Sequence, residues 1–446
     1  MIGLRRVLSR ILFTMFFGFT MTLIVCCVLL VVNNFSGKGD YLEAVSIDPK
    51  EEISTIYRRI DDSSMADNKP SAAICDFGFQ SLSDTGEREV YEKLGRNLYY
   101  ITDKVEDSGY YKTERITIEN TQVSEIGIRR ALGAFMSDNP QVFWINNIFG
   151  YAYDNGNTVI ECYSVLSAEK CKDLIEIMSA KIDEILDNVD MNADEFHRER
   201  QVHDALLRQC SYAEGVSSVN DNWECFTAYG AIVGGSAVCE GYSKALQILL
   251  MKLNIPCYVI RGDADGVKHM WNLVKVDGGW YHLDSTWNDT AVNINYEYFN
   301  LSTGFISENH IIAPLVTAAD ESGENLANPN FFIPECNSMD QNFYTVEGYT
   351  INDFSNKTDN EMVDLIVDRV YNGECYIHLN VGSGMDYQEC IDILFGSPSH
   401  RMYHYVDAAN ERLRPDMQLG NTGMMILKHE DRRTIRIKLS FKQETE

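Results

Sequence analysis

Residues 237–289 read AVCEGYSKALQILLMKLNIPCYVIRGDADGVKHMWNLVKVDGGWYHLDSTWND, and three of them organise the rest of the reading. Cys239 opens an apolar helix, His269 opens a strand and Asp284 closes the next strand. After Cys239 the residues Ala245, Leu246, Leu249, Leu250 and Leu253 fall on one helical face. Asn254 stops that helix and Pro256 forbids its continuation. Cys257 to Arg261 then reads as a strand, and His269 to Val276, Asp277-Gly278-Gly279 and Trp280 to Asp284 read as a β-hairpin. Folding back across that turn brings Asp284 within a diagonal step of His269. Each of the three side chains sits at an element end, free to face a cleft.

A cysteine, a histidine and an aspartate in that arrangement supply a nucleophile, a base and an orienting carboxylate. The first turn of a helix leaves backbone N–H groups unpaired and carries the positive end of the helix dipole. A neighbouring imidazolium adds a full charge, and such settings lower a cysteine pKa from about 8.5 to roughly 3.5–7.5. Asp284, accepting the far ring N–H of His269, fixes the tautomer and orientation of the imidazole. The same N–H groups can stabilise an oxyanion when the thiolate attacks a carbonyl. Gly234, Gly235 and Gly241 allow close approach there. Taken singly, a cysteine at a helix start or a histidine in a strand is more often packing than chemistry. Their joint order reverses that reading, as do Tyr242, Trp271, Trp280 and Trp287, which can wall a cleft. His282 shares a strand face with Asp284 and is a rival base, although its central position in a short strand suits a buried structural role.

The segments AVCEGYSKAL, KHMWNLVKVDGGWYHLDSTWND and, more weakly, ALGAFMSDNPQVFWI resemble the bacterial transglutaminase-like superfamily. The resemblance covers about Ser124 to Asp289 and is most specific in its last 53 residues. It implies an α+β, papain-like fold with the cysteine on a helix against an antiparallel sheet. Cys239 then matches the nucleophile in C-x-G-Y, His269 the base in H-x-W-N and Asp284 the acid in D-x-T-W. Cleavage, deamidation or crosslinking of protein or peptide amides through a thioester is the implied activity. Tyr229, in AYGAIVGGSAVC, resembles a position on the approach to the family's site. Tyr229, Tyr242, Trp271 and Trp287 are therefore the expected substrate-binding residues, and no cofactor or metal is expected. An interaction module that keeps this fold without turnover is the alternative.

Outside this core the chain is less specific. Arg5, Arg6 and Arg10 precede an uncharged run of 22 residues, Ile11 to Val32, long enough to cross a bilayer. By the positive-inside rule the expectation is a cytoplasmic tail (1–10), one transmembrane helix (11–32) and an exported remainder. A cleaved signal peptide is disfavoured because the run is long and Val31 to Phe35 offers no small-x-small site. Lipidation at Cys26 or Cys27 is disfavoured by bulky Ile24 and Val25. A linker (33–72) follows, with one short helical possibility at Pro49 to Ile60. Then come an α+β region (73–192), the transglutaminase-like core (193–315) and a C-terminal α+β accessory region (316–446).

The net charge of −28, from 38 basic and 66 acidic residues, argues against a nucleic-acid partner. Of the 12 cysteines, ten lie beyond the apolar run, irregularly spaced and without CxxC. That indicates neither a disulfide framework nor a zinc site. With Cys239 free, an odd number remains, and most read as small buried apolar residues. The sequon Asn288-Asp289-Thr290 lies beside Asp284, where a glycan would obstruct the cleft, which favours a bacterial setting.

Overall fold

The computed structural model describes residues 42–50, 56–60, 76–290, 294–313, 316–319, 325–327, 333–374 and 376–442. The chain divides into two compact units. The first comprises Met1–Lys275, Asp284–Ile294 and Asn309–Pro334, and the second Val276–Leu283, Asn295–Glu308 and Glu335–Glu446. Two segments of the expected 193–315 block, Val276–Leu283 and Asn295–Glu308, thus belong to the second unit.

The first unit is mixed α+β. Its N-terminal part holds a seven-stranded sheet whose longest pair, Ile145–Asp154 and Asn157–Ser164, is joined by the left-handed residues Asn155 and Gly156. That pair of positive φ angles matches the right-handed twist of a two-residue hairpin, as the Asn-Gly signal implies. Three helices accompany the sheet: Thr85–Asn97, Glu125–Asp138 and Ala168–Leu186. Each begins at a short polar residue, Asp84, Ser124 or Ser167, whose side chain accepts a first-turn backbone N–H. Helix Ala168–Leu186 buries Cys171, Leu174, Ile175, Met178, Ile182 and Ile185, a 3.6-residue stripe, and turns its lysines and acids outward.

Several sequence expectations change here. Tyr57–Arg59, inside the expected short helix, is a strand paired antiparallel with Tyr100–Thr102, while 51–55 lie outside the described residues. Strand pairing satisfies those backbone groups, and a tyrosine fits a pleated surface well. The apolar stretches Val142 to Ile145 and Gly150 to Tyr153 read by themselves as two strands; the structure has one, Ile145–Asp154, and Val142 to Trp144 lies outside it. The apolar spacing of Thr227 to Val233 suits an α-helix; the structure has a π-helical turn at Gly230–Gly234, ending at left-handed Gly235.

The expected single-pass membrane localisation is also corrected. No helix among the described residues is long and apolar enough to cross a membrane, and the run Ile11–Val32 lies outside the described residues. The longest described helix, the 19-residue Ala168–Leu186, carries charges through its whole length.

Farther along, the first unit contains helix Glu195–Gln209, helix Cys239–Lys252 and the strands Cys257–Ala264, Val267–Val276 and His310–Ile312. Cys257–Ala264 lies between the other two strands and pairs antiparallel with both.

In the second unit, strands Tyr349–Ile351, Tyr376–Val381, Thr434–Phe441 and Leu419–His429 form a four-stranded sheet in that order. The first two are parallel, a pairing that needs a crossover, and helix Asn356–Tyr371 supplies it. Ile377, Leu379, Ile435 and Ile437 on one sheet face pack with Met362, Ile366, Cys390, Leu394 and Met402 from three helices. Tyr344 to Phe354 reads as strands by composition, but Phe343–Glu347 is a helical turn capped by Asn342 and the strand is Tyr349–Ile351.

Candidate active site

Cys239 is the first residue of its helix, and the preceding Val238 provides no side-chain cap. The first-turn N–H groups therefore receive no capping oxygen from that residue. The helix interior is apolar on nearly every side: Tyr242, Ala245, Leu246, Leu249 and Leu250 are all fully buried. Cys239 itself is only partly covered.

Two polar side chains fasten this helix to the histidine strand. Ser243 Oγ donates within a shared geometry to the carbonyls of Cys239 at 2.8 Å and Met270 at 3.0 Å. Asn272 Nδ2 donates to the Ser243 carbonyl at 3.0 Å. Ser243 and Asn272 are both buried. Asn272→Ala should lower unfolding free energy by about 1–3 kcal/mol through the lost hydrogen bond to the Ser243 carbonyl and the packing given up by the larger buried side chain. Ser243→Ala should cost less, because its carbonyl acceptors keep other partners or lone pairs. Chemical unfolding curves of the two variants check the order.

His269 is the third residue of strand Val267–Val276, not its first. Its Nε2 lies 2.7 Å from Asp284 Oδ2. The ring also hydrogen-bonds the Cys239 thiol. With Nε2 taken by the carboxylate, Nδ1 is the nitrogen left for sulfur. Burial opposes the imidazolium, but the Asp284 charge and hydrogen bond outweigh it and Cys239 adds to them, so the ring is pushed up to about 10.

Asp284 is the N-cap of the helical turn Ser285–Asn288, a position one residue beyond strand Gly279–Leu283. Its Oδ1 accepts the Trp287 N–H at 3.1 Å. Its Oδ2 accepts from His269 and also from His310 Nε2 at 3.0 Å. Burial alone would raise this fully covered carboxyl, but His269 and His310 hold it well below the usual carboxylate range. The turn is anchored from behind: Tyr242 Oη donates to Asp289 Oδ2 at 2.5 Å, and Asn288 Nδ2 lies 3.2 Å from His203 Nε2.

The four expected substrate residues divide. Tyr242 and Trp271 are fully buried, so neither presents surface to a substrate. Tyr242 instead braces the Asp289 turn, and Trp271 stacks beside His269 at 6.0 Å between centroids. Tyr229 is also buried and stacks on Phe143 at 5.1 Å. Trp287 is half-buried, 5.9 Å from the His269 ring and 4.7 Å from His310. The rival base His282 is fully buried, with Nε2 3.1 Å from Thr303 Oγ1, both within the second unit.

Two residues near the site went unrecognised in the sequence. Tyr212 is 48% exposed and pairs with Ala237, two residues before Cys239. Burial, followed by the charges of Cys239 and Asp284, pushes its hydroxyl up to about 12. His310 is the other, buried and 5.6 Å ring to ring from His269.

His269, Asp284 and His310 bring possible metal-binding atoms within 4.8 Å of one another, the one such grouping among the described residues. Separations of 2.7 and 3.0 Å to one carboxylate oxygen are hydrogen-bond lengths.

Eight described cysteines are free, and all except Cys239 are buried. Burial pushes the thiols of Cys162, Cys171, Cys210 and Cys336 up to about 12, and that of Cys390 up to about 11. These are poor nucleophiles at neutral pH.

Residues 183–285, which contain all three of Cys239, His269 and Asp284, match the family model of the transglutaminase-like superfamily. Among solved structures, one described as a TGase shares 15% identity over 40% of this chain and 52% of that chain, with a TM-score of 0.24. A protein from Cytophaga hutchinsonii, described as a candidate cysteine protease, shares 11% over 31% of this chain and 61% of its own, with a TM-score of 0.20. A candidate protease from Parabacteroides distasonis shares 8% over 66% and 65%, with a TM-score of 0.21. The aligned part spans roughly half to two thirds of each neighbour, and none superposes closely enough to bear on chemistry. No curated protein matches the chain. The family match supports a transglutaminase-like core and cysteine-based enzyme chemistry.

Proposed function

We propose that this protein is a cysteine acyl-transfer enzyme acting on amides of proteins or peptides through Cys239, His269 and Asp284. The observation that carries the reading is the His269 ring, hydrogen-bonded to a buried carboxylate on one side and to the Cys239 thiol on the other. Cys239 is also the one described thiol that is not buried. His269 takes the thiol proton at Nδ1, and the Asp284 carboxylate stabilises the resulting imidazolium. The thiolate attacks the amide carbonyl, and first-turn N–H groups of the cysteine helix face the developing oxyanion. Collapse to a thioester releases the amine, which takes its proton from His269. Water or a second amine then resolves the thioester. Half-exposed Trp287 and exposed Tyr212 are the aromatic side chains placed to contact the substrate.

The test combines a thiol probe with product analysis. An electrophilic amide-mimetic probe should label Cys239 selectively, and His269→Ala should suppress that labelling. Equal labelling of both proteins at several cysteines would overturn the reading in favour of a silent interaction module. Mass spectrometry of casein or peptide amides incubated with the protein then separates cleavage, a deamidation increment of about 1 Da and isopeptide crosslinks.

A further inference from the structure

His310 lies outside the segment that the family model matches, yet it reaches the centre of the site. The sheet register explains how. On strand Cys257–Ala264, Gly262 pairs with His269 on one side and Ile312 on the other, while Ala264 pairs with Val267 and His310. Alternation puts His269, Trp271 and His310 on one face of the sheet. Gly262 lies between the two histidine strands on that face and contributes no side chain. A Cβ there would stand 2.8 Å from Trp271 Cη2 and 2.0 Å from the Ile311 carbonyl oxygen, so no other residue fits without movement. The bare position lets the imidazoles of neighbouring strands lean toward one another and meet the same oxygen of Asp284.

We propose that His310 is a positioning residue of this site, a fourth member that holds Asp284 in the orientation required by His269. The proposal rests on the acyl-transfer reading above and deepens it. A deprotonated carboxylate only accepts hydrogen bonds, so His310 donates through Nε2. Its other nitrogen, Nδ1, lies 2.7 Å from Asn309 Oδ1, a contact that fixes the rotation of the ring. Trp271 and Trp287 close on the ring edge-on, at 4.9 and 4.7 Å. Asp284 is thus clamped at both oxygens, by the Trp287 N–H at Oδ1 and by the two imidazoles at Oδ2. A carboxylate with no freedom to rotate keeps its charge directed at His269 and maintains Nδ1 toward the thiol. The titratable groups around His269 are Asp284, Cys239 and His310, and Tyr212 is coupled to both Cys239 and Asp284.

Three substitutions test the role in the full chain. His310→Phe retains the ring packing and removes the donor, His310→Gln keeps an N–H able to reach Asp284, and His310→Asn has an amide too short to do so. Two readouts are taken: the iodoacetamide alkylation rate of Cys239 across roughly pH 4 to 11, and the His269 titration by nitrogen NMR. In the Phe and Asn variants the neutral-pH alkylation rate should fall about tenfold to a hundredfold, matching the loss of one hydrogen bond to a charged group. The His269 midpoint should move downward from about 10. Gln should restore a large part of both. A merely structural histidine would reduce the folded fraction and leave the pH profile of the folded molecules unchanged. Folded Phe or Asn variants with wild-type rates and an unchanged or raised His269 midpoint overturn the proposal. If Phe does not fold, the Asn and Gln pair decides. If wild-type Cys239 alkylates no faster than free glutathione, the acyl-transfer reading fails, while the His269 titration still reports on His310.

Discussion

Cys239→Ala is expected to remove turnover and selective thiol labelling together, with a fall in kcat on the order of a millionfold as for the loss of a serine or histidine that acts as one unit with its partners. The contrast with the other described cysteines makes this a sharp test. Seven of the eight are buried, and burial drives those of Cys162, Cys171, Cys210, Cys336 and Cys390 to about 11 or 12. Removing the partly covered Cys239 leaves no cavity comparable to a core deletion, so the folded state should persist. Peptide mapping after a short alkylation pulse is the measurement, with Cys26, Cys27, Cys75 and Cys375 scored separately. Fast adduct formation at one of the seven buried thiols in the variant would move the chemistry elsewhere.

Asp284→Asn should have the next largest effect. The substitution retains shape and removes the charge that outweighs the burial of His269. The His269 midpoint should drop from about 10 and pass below the ordinary value of about 6.5, since desolvation then acts against the imidazolium with no carboxylate to oppose it. Turnover at neutral pH should fall about ten-thousandfold, the loss seen when the orienting acid of a triad is replaced by its amide.

The same pair makes stability depend on pH, with opposite limits. The raised His269 value contributes stability that is fully present below about 6.5 and is lost as pH rises through about 10. The depressed Asp284 value contributes stability present above about 3.9 and lost as pH falls through its folded value. The unfolding free-energy gap between wild type and Asp284→Asn should therefore be widest from about pH 4 to 6.5 and narrow on either side. Parallel curves across the whole range would mean that the pair contributes no differential proton binding.

Much of the core was legible because its signals are local. A run of apolar residues at helical spacing after Cys239, a proline that ends it and the Asp-Gly turn at 277–278 act over a few residues. The structure places Asp277 and Gly278 in the left-handed region that a tight hairpin requires. The same holds for the helices begun by Asp84, Ser124 and Ser167. Where local signals were ambiguous, packing chose. The apolar stretch after Thr227 fits an α-helix by periodicity, but its glycine-rich end and close approach to neighbouring backbone gave a π turn. A Cβ on Gly230 would stand 2.1 Å from the Glu224 carbonyl oxygen, so that turn is drawn tight against its neighbour.

The aromatic residues show why exposure is harder to read than residue type. Tyr242 and Trp271 lie close to Cys239 and His269 in sequence, and side-chain direction sends both into the core. Trp287, one turn past Asp284, keeps a partly open ring. Tyr212 comes near Cys239 because strand Ser211–Tyr212 pairs with Ser236–Ala237.

The sequence by itself determined the order of Cys239, His269 and Asp284 and their places at a helix start and across a hairpin, since residue types and the turns between them are properties of short stretches. Tertiary structure alone decided that His310 would share the Asp284 oxygen, which depends on an edge strand returning beside Cys257–Ala264 and on the missing side chain at Gly262. No periodicity in the three residues His310–Ile312 announces that return. The physical reason is range: helix and turn preferences act between near neighbours, whereas a buried carboxylate gathers its donors from wherever the chain folds back.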